Sequence, residues 1–235
     1  MTTRMTPLKS LSLQDYLNTH FLRRSELAKR LSVRSDTLSQ LIASGMIPSW
    51  SYKVNQGAVY TQVFGQHEAR DCHNDEYFSP SVLDWYRHHR AQFPDHKTVP
   101  PLTDQLCGQF VATFVKTAQA SETFRWAFAE AMSEPGALQA MATTTWHHHR
   151  QGTYGVCVRQ PSSVAAIIEK QIAVAALTRI TNHGQKSRYT EQECGEWRQW
   201  AEVYDRVAMP FSPVDYAQSS RKRLIDNVLD SLPPD

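Results

Sequence analysis

Residues 25–48 read SELAKRLSVRSDTLSQLIASGMIP, and their spacing predicts two short helices joined by a tight turn. Ser25 and Ser35 are placed to cap the two helices at their N-termini. Gly45 and Pro48 mark the end of the second helix. Apolar residues at helical spacing give the two inner faces, which are Leu27, Ala28 and Leu31 in the first helix and Leu38, Leu41 and Ile42 in the second. The stretch therefore predicts a helix-turn-helix unit.

The outward face of the second helix carries short polar groups and one arginine, which suit phosphates and base edges of DNA. These predicted DNA contacts are Arg34, Ser35, Thr37, Ser39 and Gln40. Arg23, Arg24 and Lys53 would add affinity for the DNA backbone. The alternative is a small helical unit that is used only for packing or for protein contacts, because a fold does not fix a function.

The residues LIASGMIP at 41–48 resemble the MerR-type helix-turn-helix, and the resemblance covers about residues 12–60. It implies a regulator-like protein that binds DNA, and such proteins usually bind as symmetric homodimers. Two features depart from the MerR-type pattern. The turn position that usually holds glycine is Ser32, and the wing predicted around Asn55-Gln56-Gly57 carries a single cation, Lys53.

Charge is distributed unevenly along the 235 residues, although the net charge is only +2. Residues 1–60 hold eight Lys and Arg against three Asp and Glu, a balance of +5, which leaves −3 for the rest. A basic head on a mildly acidic body suits a head that contacts a polyanion, and a solvated surface without a partner is the alternative.

The composition, with 41% hydrophobic and 20% charged residues, is that of an ordinary globular protein. The four cysteines lie far apart without a CxxC pair, which predicts a reduced, cytoplasmic protein. The N-terminus lacks the apolar run of a signal peptide. The longest clean apolar run elsewhere, 172–177, is far too short to span a bilayer, so no membrane partner is predicted.

The remainder of the chain predicts a mainly α protein with little β structure beyond a short wing hairpin. We predict a (winged) helix-turn-helix head over 8–65, a linker and connecting helix over 66–100 with a hinge at Pro100-Pro101, and a helical-bundle body over 101–235. Within these regions, residues 65–80 are predicted to form a polar loop or short helical linker, and residues 152–158, GTYGVCV, an extended or irregular crossing. Residues 163–182 carry apolar side chains on every side, which predicts a central helix.

The whole chain also resembles an uncharacterised bacterial domain family. The residues behind this resemblance are GMIPSWSY, the TYGVC after a tryptophan, the FSP and the late SSR. The resemblance implies no known activity. It implies only that the head and the body occur together as one unit.

Three further clusters are candidate sites, each with a structural alternative. His67, Cys72 and His73 are zinc-ligand types, but no second cluster with matching spacing follows, so a polar loop is the alternative. His149, Tyr154 and Trp197 could line a ligand pocket, and the alternative for His149 is a hydrogen-bonded core histidine. Ser219, Ser220 and Arg221 begin a predicted helix and could hold an anion, whereas a solvated face is the alternative.

The chain contains no nucleophile elbow, no phosphate-binding glycine loop and no HExxH, so we predict neither an enzyme nor a cofactor. The leading hypothesis is a DNA-binding, regulator-like homodimer whose body serves dimerisation or ligand sensing. The alternatives are a protein-interaction or structural module that reuses the helix-turn-helix, and an enzyme or small-molecule-binding protein whose site lies in the helical body. A neutral or acidic surface around Arg34 and Gln40 would favour the first alternative, and a deep pocket lined by His149, Tyr154 and Trp197 the second.

Overall fold

A computed structural model of the chain describes residues 11–93, 99–229 and 231–232. The head is an α/β unit with four helices and five short strands. Its elements in chain order are α1 (Leu13–His20), β1 (Leu22–Arg23), α2 (Arg24–Leu31), α3 (Ser35–Ala43), β2 (Tyr52–Asn55), β3 (Ala58–Thr61), β4 (Gly65–Glu68), β5 (Asp75–Phe78) and α4 (Val82–Gln92). The strands form one antiparallel sheet in the order β1-β5-β2-β3-β4.

This sheet shows that the predicted fold class was wrong. A mainly α chain with little β structure and a winged helix-turn-helix head was expected, whereas residues 22–78 contain a five-stranded antiparallel sheet. The predicted hairpin exists, with positive φ at Gln56 (50°) and Gly57 (75°), as its tight turn requires. Its strands β2 and β3 lie inside the sheet, however, with β5 and β4 on their outer sides.

Strands β4 and β5 replace the loop or helical linker that was predicted for residues 65–80. Strand β4 reads GQHE and pairs with β3 from Ala58–Glu68 to Thr61–Gly65. A strand at the edge of a sheet is held by backbone hydrogen bonds and needs no apolar alternation. The polar sequence of β4 therefore gave no signal of a strand.

Helices α2 and α3 form where the spacing predicted them. Their boundaries differ slightly from the prediction, because Arg23 and Arg34 occupy the N-cap positions instead of Ser25 and Ser35. Ser32 takes the left-handed conformation, with φ 55°, that ends α2. The inward side chains Leu27 and Leu38 are fully buried.

The body is helical, and 62% of the structure as a whole is helix. Its helices are α5 (Val99–Ala120), α6 (Glu122–Ala127), α7 (Ala129–Ser133), α8 (Ala137–Arg150), α9 (Thr153–Cys157), α10 (Val164–Ile180) and α11 (Glu191–Val207), followed by a 3₁₀ turn (Tyr216–Gln218), a π-helical turn (Lys222–Asp226) and α12 (Asn227–Leu229). Pro100 and Pro101, predicted to be a hinge, lie in the first turn of α5, where proline is tolerated. Among the helices described, none has the length and apolarity needed to cross a membrane.

Helix α9 replaces the extended crossing that was predicted for residues 152–158, and its glycines bring the body against the head. A Cβ atom on Gly152, where φ is 77°, would lie 2.4 Å from the carbonyl oxygens of Ser49 and Trp50. A Cβ atom on Gly155 would lie 2.0 Å from the Ser51 hydroxyl oxygen. Both glycines are therefore needed for close packing between the head segment 49–51 and the start of α9.

The C-terminal end of α3 is anchored by three side chains, one from α4 of the head and two from the body. The guanidinium of Arg150 in α8 donates to the carbonyl of Ala43 at 3.1 Å, and the hydroxyl of Thr103 in α5 donates to that of Ser44 at 3.1 Å. The indole Nε1 of Trp85 in α4 donates to the carbonyl of Gly45 at 3.2 Å. Carbonyl groups at a helix end that lack partners within the helix are thus satisfied by three other helices.

Candidate ligand-binding groove

An open groove with a volume of about 690 Å³ lies between α4, α5 and the start of α10. We call it the histidine groove, because His88 and His89 of α4 line one wall. Gln109 and Thr113 stand on the α5 wall, and residues 162–165 form the third side. The polar groups of three helices therefore converge on one cleft, as they do in ligand sites.

His89 lines this groove but is itself buried, with 5% of its surface exposed. Its Nδ1 atom has no hydrogen-bond partner among the described residues. The ring packs on Trp85 with 4.1 Å between centroids. Burial, and secondarily the neighbouring His88, lower the pKa of His89 to about 4, so the imidazole is neutral near pH 7.

Trp85 separates the groove from a smaller inner cavity that reaches the head. His149, Tyr154 and Ser51 line this cavity, which offers about 10 Å³ for the centre of a water molecule. That space is close to the minimum for one water. The ring of His149 lies 4.3 Å from Trp85 and stacks on Phe110 at 5.3 Å between centroids.

His149 is the second buried histidine of this region. Its residue surface is 3% exposed, and neither ring nitrogen meets hydrogen-bond geometry with a described residue. Burial, with a further contribution from His89, lowers the pKa of His149 to about 3, although the nearby backbone of Pro161 acts in the opposite direction. Buried polar atoms are normally satisfied, so the unpartnered nitrogens of His89 and His149 beside Trp85 make this region a candidate site.

The predicted pocket residues are only partly brought together. His149 and Tyr154 line the same inner cavity, whereas Trp197 lies in another core and donates from its Nε1 to the carbonyl of Leu224 at 3.0 Å. His89 was not among the residues predicted to line a pocket. The available signal was its position one helical turn after Trp85, on the same face of α4.

The cations predicted to contact DNA are mostly held by partners within the head. Arg24 forms an ion pair with Glu76 at 2.6 Å and donates to the Ser39 hydroxyl at 2.6 Å, while Lys53 reaches the same Glu76 at 3.2 Å. Arg23 donates to the Asn18 side chain at 3.0 Å.

The face of α3 itself is accessible, and its charges are balanced. Ser35, Ser39 and Gln40 are exposed, Thr37 is half-buried, and the Arg34 side chain is 88% exposed, at 3.6 Å from Asp36. Strands β4 and β5 add acidic residues to the head, so that residues 11–78 hold seven Lys and Arg against seven Asp and Glu. The formal charges over residues 11–78 therefore cancel, whereas Arg4 and Lys9, which contribute to the predicted basic head, lie outside the described residues.

The predicted anion site at residues 219–221 is occupied by internal contacts. Ser219 is fully buried and donates to the carbonyl of Tyr216 at 2.7 Å. Ser220 lies 3.4 Å from the Lys170 amine, and Arg221 is paired with Asp205 and Asp226. Lys170 is itself buried, and burial lowers its pKa.

The weak metal candidates His67, Cys72 and His73 do not form a ligand set. The Nε2 atom of His67 lies 3.4 Å from Asp215, and the His73 amide donates to Gln14 at 2.7 Å. In the described part of the chain, no three His, Cys, Asp or Glu side chains are arranged to hold a metal ion.

A family model described as "Family of unknown function (DUF6058)" matches residues 106–233, from within α5 to beyond α12. Neither the curated proteins nor the solved structures gave a match. The matched segment contains the TYGVC, FSP and SSR residues and both walls of the groove that α5 and α10 provide, but it leaves α1–α4 outside. The match covers more than half of the chain, which therefore belongs to the DUF6058 family of unknown function.

Proposed function

We propose that this protein binds a small polar molecule in the histidine groove. The observation that carries the proposal is the open cleft itself, which is large enough for a small molecule and has His88, His89, Gln109 and Thr113 in its walls. The neutral imidazole of His89 can donate or accept a hydrogen bond.

The remaining groups of the groove fit a ligand with a flat or apolar part. Trp85 and Phe110 offer ring surface. The Thr113 hydroxyl donates to the Gln109 carbonyl at 2.8 Å, which leaves its oxygen lone pairs free to accept a hydrogen bond from a ligand. The site thus combines apolar contact with a few placed polar groups.

A fragment screen by ligand-observed NMR tests this proposal on three proteins. His89→Phe keeps a ring against Trp85 but lacks the nitrogen atoms, and His147→Phe changes an exposed histidine of α8 and is the matched control. We expect polar fragments to bind the wild type and the control and to lose affinity in His89→Phe. Fragments that bind all three proteins equally, or none, would remove the proposal.

Contact with duplex DNA through α3 is a second candidate function, as the MerR-type resemblance implies. Two observations favour it: the outward face of α3 is exposed around Arg34, and its C-terminal end is fixed on the body by Thr103 and Arg150. Because the formal charges over residues 11–78 cancel, the predicted affinity is modest and arises from few phosphate contacts.

Electrophoretic mobility shifts with random duplex at two salt concentrations test the DNA proposal. Phosphate-mediated binding weakens as salt rises, and Arg34→Ala should weaken it further. Arg70→Ala, which removes an exposed arginine that pairs with Glu68, is the control. Absence of binding at low salt would refute this candidate. Light scattering of the same samples tests the expected homodimer.

A further inference from the structure

We infer that Ser220 is the nucleophile of an acyl-transfer site, with Lys170 as its general base and a carboxylic ester of a small acid as its substrate. The site is separate from the histidine groove, because Ser220, Lys170 and their neighbour Tyr204 are absent from the described lining of that groove. The inference therefore goes beyond the proposed function and does not depend on it.

Two polar groups converge on the side-chain oxygen of Ser220. The amine of Lys170 in α10 lies 3.4 Å from this oxygen, and the hydroxyl of Tyr204 in α11 lies 2.8 Å from it. The same amine lies 4.3 Å from the centroid of the Tyr204 ring, so the three side chains form one cluster. A nucleophile near a base, with a third group that orients the pair, is the arrangement of nucleophilic catalysis, and serine with lysine is one of its recurring forms.

The three residues differ in their access to solvent. Lys170 is 6% exposed and Tyr204 is 1% exposed, whereas Ser220 is half-buried. Ser220 is therefore the member of the cluster that offers surface to a substrate, and the base is shielded from water behind it. The limited exposure of Ser220 is the reason to expect a small acyl group.

The amine of Lys170 is suited to accept a proton because no carboxylate holds it charged. Among all residues that the structure describes, Ser220 is its one hydrogen-bond partner, and none forms an ion pair with it. Burial lowers the pKa of Lys170, although Cys157 acts in the opposite direction. The pKa of the Cys157 thiol is itself raised by burial, so this neighbour is uncharged near pH 7.

The hydroxyl of Tyr204 can orient the serine. Burial raises the pKa of Tyr204, so its hydroxyl keeps the proton and can donate it to the oxygen of Ser220. The serine hydrogen is then free to point towards the nitrogen lone pair of a neutral Lys170. This is the hydrogen-bond pattern that removal of the serine proton requires.

The backbone around Ser220 is held in place by its two neighbours. Ser219 is fully buried, and its hydroxyl donates to a backbone carbonyl at 2.7 Å. Arg221 forms ion pairs with Asp205 and Asp226. The serine hydroxyl is therefore presented from a fixed position, which shortens the search for a reactive geometry.

The reaction balances with these groups, an ester and water. The Ser220 oxygen bonds to the carbonyl carbon while the Lys170 amine takes the hydroxyl proton. The bond from that carbon to the alcohol oxygen then breaks, and the Lys170 ammonium gives its proton to the departing alkoxide. Water attacks the acyl-serine and gives a proton to Lys170, which passes it to the Ser220 oxygen as the carboxylic acid leaves.

Diisopropyl fluorophosphate tests the nucleophile in the full-length protein. This reagent bonds to an activated serine oxygen with loss of fluoride, and mass spectrometry of peptides locates the adduct. We expect one adduct per chain, on Ser220, and none on that peptide in Ser220→Ala. Ser133→Ala, which changes an exposed serine of α7, is the matched control and should be labelled like the wild type.

Lys170→Met tests the base, because it keeps an apolar side chain of similar length and lacks the amine. We expect labelling of Ser220 to slow about a hundredfold, as when a general base is lost. A second measurement uses the wild type alone and so does not depend on how the variant folds. With p-nitrophenyl acetate, a burst of p-nitrophenol should precede steady turnover, and the acetyl group should be found on Ser220.

Tyr204→Phe tests the orienting hydroxyl, since it keeps the ring against Lys170 and removes the donor. Tyr204 is a positioning residue, so the maximal rate constant of labelling should fall about tenfold. The reagent concentration that gives half of that rate should stay the same. A change in this concentration alone, or in neither quantity, would show that the hydroxyl does not orient the serine.

Three results would overturn the inference. If the wild type carries no adduct on Ser220, this serine is not a nucleophile. If Lys170→Met is folded and is labelled at the wild-type rate, the amine is not its base. If the acetyl group is found on Lys170 instead of Ser220, the lysine itself is the reactive group and the assigned roles are wrong.

Discussion

Acidification should destabilise this protein through two buried histidines. The folded-state pKa values are about 4 for His89 and about 3 for His149, below the ordinary value of 6.5. Between those values and 6.5 the unfolded chain takes up protons that the folded chain excludes. The stabilisation is therefore complete above pH 6.5 and is lost progressively as the pH falls below it.

The expected loss of stability follows from the difference between the pKa of each histidine in the folded and in the unfolded chain. One pKa unit corresponds to about 1.4 kcal/mol, and at about pH 5 the unfolded imidazole is almost fully protonated, so each histidine lowers the free energy of unfolding by about 2 kcal/mol. Burial raises the pKa of Asp205 and Asp215, and those carboxyls act in the opposite direction, because a raised folded pKa adds stability as the pH falls. A comparison with a variant is therefore needed to isolate the histidine contribution.

His149→Phe provides that comparison. A phenyl ring fits among Trp85, Phe110 and the other rings that contact His149, and it removes two unpartnered nitrogens. Urea denaturation at about pH 7.5 and about pH 5 should show a loss of stability that is about 2 kcal/mol smaller in the variant than in the wild type. His147→Phe, on the exposed side of the same helix, should behave like the wild type. An equal loss in wild type and His149→Phe would show that His149 is not held neutral by burial.

Two further substitutions test how the head is joined to the body. Gly152→Ala places a Cβ atom 2.4 Å from the Ser49 carbonyl oxygen at φ 77°, and it should lower the free energy of unfolding in urea by roughly 3 kcal/mol or more. Gly136→Ala is the control, because φ is 81° there but no atom lies within 4 Å of the added Cβ. It should lower stability only through the strained backbone conformation. Tyr52→Phe removes a fully buried hydrogen bond of 2.7 Å to Asp215 and should lower stability by about 2 kcal/mol in thermal denaturation, with Tyr60→Phe on the neighbouring strand as control.

The parts of the fold that sequence predicted are those fixed by nearby residues. Helices α2 and α3 follow from apolar spacing and a short turn. Strands β4 and β5 depend on backbone pairing and show no alternation of polar and apolar residues, because β4 is polar throughout (GQHE) and β5 has two acidic residues followed by two buried aromatic ones (DEYF). The fold class was missed for this reason.

The candidate site was harder to predict, because burial is a property of the assembled chain. His149 was predicted as a pocket or core residue, but only the folded chain shows that His89 contacts the same tryptophan, Trp85. The cations predicted to contact DNA were misjudged for a similar reason, because their partners are brought to them only by the folded chain. Glu76, on strand β5, neutralises Arg24 and Lys53, which lie 52 and 23 positions away in sequence.

The histidine groove and α3 share one residue, and this sharing has a testable consequence. Trp85 lines the groove and its Nε1 holds the Gly45 carbonyl at the end of α3 at 3.2 Å. A ligand that displaces this indole must lengthen or break that bond, so we expect groove ligands to shift the NMR amide signals of residues 44–46. Trp85→Phe keeps an aromatic ring at the groove but lacks the donor, and it should still bind the ligand while losing those shifts. Trp126→Phe, at a partly exposed tryptophan of α6, is the control. If the shifts persist unchanged in Trp85→Phe, the connection between the groove and α3 does not run through this hydrogen bond.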